Sequence, residues 1–206
     1  MTAPGSGEAA PPLARSVRAA GRALYKHRGL TPVPLVLLLL VYARPGPLSL
    51  ALGLPPILLG ETIRLAALRH IGGASRSTRI GADRLVDTGP YGVIRNPLYA
   101  GNLLLSGGLA VASDVPWLPP LLLLLFAAQY VPIIAAEEEE MARRFPAEWP
   151  GYAGRVPRVL PRTLRGPEGA PTGWGVALLV ERRTLTSAAL LLAYLAFRLV
   201  RERSAP

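Results

Sequence analysis

Residues 115–136 read VPWLPPLLLLLFAAQYVPIIAA and contain no charged side chain. An α-helix rises 1.5 Å per residue, so about 20 apolar residues cross the ~30 Å hydrocarbon core of a bilayer. This stretch is therefore predicted to be a membrane-spanning helix. Residues 30–43, 48–68 and 98–112 are three more apolar segments, and residues 185–200 form a fifth candidate. The sequence predicts an all-α fold, a polytopic membrane helix bundle of four to five transmembrane helices.

The composition supports a membrane location. Half of the 206 residues are hydrophobic and 17% are charged, against about 25% charged residues in a typical soluble domain. The formal net charge of +10 is almost all arginine, and Lys26 is the only lysine. Such a charge suits an anionic membrane face or nucleic acid. Because the arginines alternate with apolar runs and form no basic domain, nucleic acid is not an expected partner. The chain has no cysteine, which excludes disulfides, thiolate metal sites and a cysteine nucleophile.

The chain divides into three predicted parts. Residues 1–30 comprise a small, proline-rich tail that is expected to be disordered, followed by a basic helix; residues 31–165 form the membrane core; residues 166–206 are a linker and a C-terminal apolar helix. In the basic helix, Arg15, Arg18, Arg22 and Lys26 recur every three or four residues. This spacing is typical of an amphipathic helix on a membrane surface. A positively charged flank that only orients the first span fits equally well.

The distribution of positive charge predicts the orientation. Basic residues crowd the N-terminal arm, residues 64–95 and residues 143–165, whereas the two intervening turns hold only Arg44 and Asp114 as charged residues. By the positive-inside rule the basic regions and the N-terminus are cytoplasmic and the two turns are outside, as expected for a multi-pass protein of a bacterial plasma membrane. A crossing by residues 185–200 would export Arg201 and Arg203. That segment is either an interfacial helix or a span that violates the rule.

A turn-rich element precedes the third apolar segment. Residues 85–101 read LVDTGPYGVIRNPLYAG and contain the turn dipeptides Gly-Pro and Asn-Pro. Pro97 suits the first turn of a helix, where its missing N–H costs nothing. The free N–H groups at such a helix start can bind an anionic group. The alternative is an ordinary helix start anchored by Arg95.

Four consecutive glutamates, residues 137–140, follow the fourth apolar segment. Acidic residues near a helix C-terminus oppose the helix dipole, so the run carries a local energetic cost. A carboxylate that faces a cavity could bind ribose hydroxyls or attract a sulfonium cation. The alternative is a solvated acidic face paired with Arg143 and Arg144.

Residues 145–158 read FPAEWPGYAGRVPR, a run of aromatic residues interrupted by prolines. Such a segment is typical of the membrane interface rather than of a span. The alternative to a functional role is a membrane-anchoring belt without a chemical role.

The order of these elements resembles the isoprenylcysteine carboxyl methyltransferase and phospholipid methyltransferase group. The group pattern has Leu-Val-x-x-Gly-Pro-Tyr, which residues 85–91 match. It then has Arg-His-Pro-x-Tyr-x-Gly, which residues 95–101 match with Asn96 in place of His. After a helical hairpin come a pair of glutamates, here Glu137 and Glu138, an aromatic segment, and Val-Pro-Arg at residues 156–158. The resemblance covers residues 59–161.

This resemblance implies S-adenosylmethionine as the cofactor, in an irregular pocket at the cytoplasmic face, and a lipid or other lipophilic small molecule as the methyl acceptor. It does not indicate a metal, a catalytic base or an oligomeric state. The cofactor-binding positions that it implies are Asp83, Arg84, Leu85, Val86, Tyr91, Asn96, Pro97, Leu98, Tyr99 and Glu137.

Two departures from the group pattern leave alternatives open. Asn96 cannot become charged as His can, and Ile133 stands where the isoprenylcysteine enzymes carry an arginine for the substrate carboxylate. An NADPH-dependent membrane reductase similar to the sterol reductases, and a non-catalytic membrane protein of the same fold, are the rival hypotheses. Within the second segment, Glu61 and Arg64 are intramembrane charges, which are rare and often functional. They are either part of a site or paired with each other.

Overall fold

The computed structural model describes residues 12–30, 32–71 and 84–204, and these residues form helices and no strand. The all-α prediction is confirmed. Within these ranges the helices are α1 (Pro12–His27), α2 (Val33–Tyr42), α3 (Pro47–Ile71), α4 (Pro90–Val93), α5 (Pro97–Ala112), α6 (Leu118–Arg144), α7 (Trp149–Arg155) and α8 (Trp174–Arg203).

Three helices of the described chain, α3, α6 and α8, are long and apolar enough to cross a membrane, and α2 and α5 are shorter apolar helices. The protein is therefore a multi-pass membrane protein. The ten residues of α2 rise about 15 Å, which is half of the hydrocarbon core. The first predicted segment thus corresponds to a half-length helix.

α3 and α5 pack at backbone contact through two pairs of glycines. A Cβ atom on Gly60 would lie 2.6 Å from the carbonyl oxygen of Gly101, and one on Gly53 would lie 2.4 Å from that of Gly108. Small residues at facing positions let helices approach closely in membranes, where van der Waals packing replaces the hydrophobic effect. This close packing fixes α5 against α3.

The two turns predicted to lie outside meet at one end of the bundle, where the backbone N–H of Arg44 donates to the carbonyl of Ser113 at 2.9 Å. α8 begins at the opposite end, where the Arg69 guanidinium lies 4.1 Å from the ring centroid of Trp174. Near its other end, Tyr194 hydrogen-bonds to the carbonyl of Leu40 in α2. α8 therefore runs the length of the bundle, which favours the membrane-span alternative for the C-terminal segment. It begins at Trp174, well before residue 185.

One side of the N-terminal helix packs against the rest of the protein, and the other side faces outward. α1 packs along the C-terminal half of α6, and a Cβ atom on Gly21 would lie 1.9 Å from the carbonyl oxygen of Pro132. α6 itself continues unbroken through Pro132 and through the four glutamates to Arg144. The acidic run thus lies on a helix that α1 covers from one side.

Candidate cofactor and acceptor site

A cavity of about 980 Å³ lies between α1, α2, α5, α6 and α8. At the end near the acidic run its walls are polar, and they include Tyr91, Tyr99 and Glu137. Further into the bundle the walls are leucines of α2, α5, α6 and α8, among them Leu39 and Leu105. The cavity therefore combines a polar chamber with an apolar arm.

The structure brings the sequence-predicted cofactor positions together around this cavity. Asp83 lies outside the described residues, as do residues 72–73, which also fit the family pattern. The cavity-lining positions are Arg84, Leu85, Val86, Tyr91, Asn96, Pro97, Leu98, Tyr99 and Glu137. The turn before α5 and the acidic end of α6 thus face one hollow.

The closest link between these two elements is a hydrogen bond in which the Tyr99 hydroxyl donates to Glu137 Oε1 at 2.9 Å. The ring of Tyr130 lies 4.7 Å from that of Tyr99, and Phe126 lies 4.1 Å from Tyr130. Burial raises the pKa of the Tyr91 hydroxyl, and the charge of Glu137 raises it further. Tyr91 therefore stays protonated and able to donate a hydrogen bond.

Each of the four glutamates has a different environment. Glu137 and Glu138 both line the cavity, and Glu138 also pairs with Arg95 at 3.1 Å and with Arg158. Glu139 accepts hydrogen bonds from two arginines of α1 at 2.7 and 3.0 Å. Glu140 pairs with two arginines later in α6, at 2.6 and 2.5 Å. The solvated-face alternative thus describes Glu140 alone.

The segment after α6 folds back over the start of α5. The Tyr152 hydroxyl donates to the carbonyl of Tyr91 at 2.9 Å, and the Asn96 side-chain amide donates to the carbonyl of Arg158 at 3.1 Å. The Arg158 guanidinium in turn binds Glu138. Asn96 therefore holds the covering segment in place while it lines the cavity, and this contact needs no imidazole.

α1 supplies lining residues that the sequence did not indicate. Tyr25 is 6% exposed and lines the cavity, with the Arg28 guanidinium 3.8 Å from its ring centroid. Ile133 is fully buried in the same apolar cluster as Tyr25 and Tyr130. The position that carries an arginine in the isoprenylcysteine enzymes is thus packed beneath α1 here.

The hypothesis that Glu61 and Arg64 pair with each other is wrong. Arg64 instead pairs with Glu181 of α8, with an N–O distance of 2.7 Å. Glu61 is 8% exposed, and neither of its carboxylate oxygens has a hydrogen-bond partner among the described residues. Nothing in the sequence pointed to Glu181, because it precedes the apolar run from which the last helix was predicted.

Residues 48–148 match a family model described as phospholipid methyltransferase. The core of this chain belongs to that family. The resemblance deduced from the motifs is confirmed. The phospholipid methyltransferase segment extends from α3 to the end of α6 and includes Tyr99 and Glu137, whereas α1, α2, α7 and α8 lie outside it.

Two curated relatives are each similar to a little over half of the chain. The cobalt-zinc-cadmium resistance protein CzcN of Cupriavidus metallidurans is 36% identical over 117 residues, which are 57% of this chain and 51% of the relative. The nickel-cobalt-cadmium resistance protein NccN of Alcaligenes xylosoxydans xylosoxydans is 34% identical over 113 residues, which are 55% of this chain and 50% of the relative. The matches thus span about half the length of these relatives. No solved structure matches the chain.

Proposed function

We propose that this protein transfers a methyl group from S-adenosylmethionine to an oxygen or nitrogen of a lipophilic acceptor at the cytoplasmic face of the membrane. The observation that carries the proposal is the contact between Tyr99 and Glu137, which joins the two family motifs inside one large cavity. Membership of the core in the phospholipid methyltransferase family supports the same reaction.

The cavity as a whole has room for the cofactor, and its polar chamber suits the charge of the cofactor. A volume of about 980 Å³ is at the upper end of the ~300–1,000 Å³ typical of small-molecule sites, so it also has space for part of an acceptor. Glu137 would supply negative charge near a sulfonium. No side chain caps the start of α5, so its backbone N–H groups are available to a carboxylate. The predicted residues from Arg84 to Val86 and from Asn96 to Tyr99 would complete the site.

The protein's contribution would be to position the reactants and exclude water. S-adenosylmethionine, when bound, supplies an electrophilic methyl group, so the chemistry itself belongs to the cofactor. Tyr25 of α1 and the segment held by Tyr152 cover the polar chamber from two sides. Holding two reactants in the right geometry accounts for a large part of the barrier reduction in such reactions.

The apolar arm supports a lipophilic acceptor. Leu37 of α2 and Leu125 of α6 line the cavity and are 56% and 43% exposed. Exposed leucines at the rim are expected where a cavity opens toward lipid. An apolar side chain in contact with lipid avoids the unfavourable free energy that it would have in water. The acceptor would enter sideways from the bilayer, with its tail in the arm and its polar head in the chamber.

The test is transfer of label from methyl-labelled S-adenosylmethionine into a total lipid extract by the purified protein in detergent. We expect labelled product in the organic phase, and identifying it would distinguish O- from N-methylation. Absence of transfer across bacterial lipid extracts, with cofactor bound, would contradict a lipid acceptor. Absence of cofactor binding would leave the reductase and the non-catalytic alternatives.

The names of the two relatives suggest a physiological setting for this reaction. We propose that the methyl transfer contributes to tolerance of divalent transition metals. The described residues contain no group of three or more side chains suited to hold a metal ion, which favours an indirect contribution. Growth of a strain lacking the protein on cobalt, zinc and cadmium tests this, and unchanged tolerance would refute it.

A further inference from the structure

A buried ion pair connects the C-terminal helix to the family core. Glu181 of α8 is 1% exposed. Its two carboxylate oxygens accept hydrogen bonds from Nε and an Nη of Arg64, each at 2.9 Å. Two parallel bonds fix the plane of a guanidinium as well as its position. Glu181 therefore determines how Arg64 is oriented, although α8 lies outside the family match.

Arg64 in turn contacts residues in the first turns of α5. It hydrogen-bonds to the side chain of Asn102 and approaches the carbonyl oxygen of Leu98 at 3.5 Å. Asn102 in turn donates to the Tyr130 hydroxyl at 3.4 Å, and the Tyr130 ring packs on Tyr99. A continuous chain of polar and ring contacts thus runs from α8 to the residue that binds Glu137.

We propose that Glu181 is a positioning residue for the cofactor site, and that α8 is an integral part of the methyl-transfer unit. Glu181 holds Arg64 against the first turns of α5 and thereby places Tyr99 relative to Glu137. This inference rests on the proposed function, since it assigns to α8 a part in the same site.

Glu61 can compete with Glu181 for Arg64. Glu61 lies one turn before Arg64 on α3, and its buried carboxylate has no hydrogen-bond partner among the described residues. A buried charge requires a counter-charge. Without the Glu181 carboxylate, Arg64 is expected to turn toward Glu61 and away from α5.

The test separates positioning from simple stability. Replacing both partners of a buried ion pair by apolar residues of similar size is often neutral for folding, because neither charge is left uncompensated. Glu61 would lose its nearby positive charge together with Arg64, so it is made neutral as well, in E61Q/R64M/E181L. We expect this variant to keep its unfolding temperature. Its affinity for S-adenosylmethionine, measured by calorimetry, should fall about tenfold, and methyl transfer to a total lipid extract about 10- to 100-fold, since small misplacements of reacting groups have effects of this size.

Two further variants keep the test decisive. Glu181→Asp retains the charge on a shorter side chain, so it should fold normally and show a weaker defect of the same kind. Glu202→Gln changes an exposed glutamate of α8 that pairs with Arg198 at 3.1 Å, and it should behave as the unmodified protein.

Folded E61Q/R64M/E181L or Glu181→Asp protein with native cofactor affinity and native transfer would overturn the inference. If the unmodified protein binds no S-adenosylmethionine, the proposed function fails instead, and the two failures are distinguishable.

Discussion

Replacing Glu137 by glutamine removes one negative charge from the cavity and preserves most other contacts. The glutamine oxygen can still accept the hydrogen bond that Tyr99 donates at 2.9 Å. What is lost is the attraction between a carboxylate and the sulfonium charge of the cofactor. In a partly buried site with an effective dielectric constant of about 20, two opposite charges about 8 Å apart attract by about 2 kcal/mol.

That free energy corresponds to an affinity about 30-fold weaker, since each 1.4 kcal/mol is a factor of ten. The assay is calorimetric titration of the detergent-purified protein with S-adenosylmethionine and, separately, with S-adenosylhomocysteine, whose sulfur is neutral. Glu137→Gln should weaken binding of the sulfonium form about 30-fold and change binding of the neutral form much less. The charge difference between the two ligands isolates the electrostatic contribution.

The matched control is Glu139→Gln, two residues along the same helix. Glu139 is bound by Arg18 and Arg22 of α1 and does not line the cavity. Its substitution should leave both affinities unchanged. Equal weakening of the two ligands by Glu137→Gln, or no weakening at all, would refute the assignment of Glu137 as the carboxylate that attracts the sulfonium.

Three other outcomes follow from the packing and the orientation. Gly101→Leu should lower the unfolding temperature, because a Cβ there lies 2.8 Å from an α3 carbonyl, whereas Gly107→Ala, whose nearest neighbour is 4.0 Å away, should not. Gly21→Val should separate α1 from α6 and make trypsin cleave α1 faster; an unchanged digestion rate would count against that contact. Because the chain has no cysteine, single introduced cysteines can report the topology. In intact cells Pro116→Cys should react with an impermeant maleimide and Arg162→Cys should not. The reverse pattern would show that the predicted orientation is inverted.

The helices were predictable because their signals are local. Uninterrupted apolar runs specify membrane helices whatever their neighbours are. The boundaries were less predictable. Pro55 and Pro56 lie inside α3, and α8 begins before the apolar run because Glu181 is paired within the bundle rather than solvated.

The site was predictable only as far as family motifs extend. Residues 85–101 and 137–138 follow a pattern whose order implies a shared pocket, and the structure places them around one cavity. The contributions of Tyr25 and Glu181 come from helices outside the family segment. Their roles depend on which buried partner each meets across the bundle, and no local spacing encodes such long-range pairs.

Titration of the purified, full-length protein with S-adenosylmethionine and with NADPH tests the central claim most directly. We predict saturable binding of S-adenosylmethionine and none of NADPH. Binding of NADPH alone would contradict it in favour of a reductase. Binding of neither would contradict it in favour of a membrane protein that has the fold without the reaction.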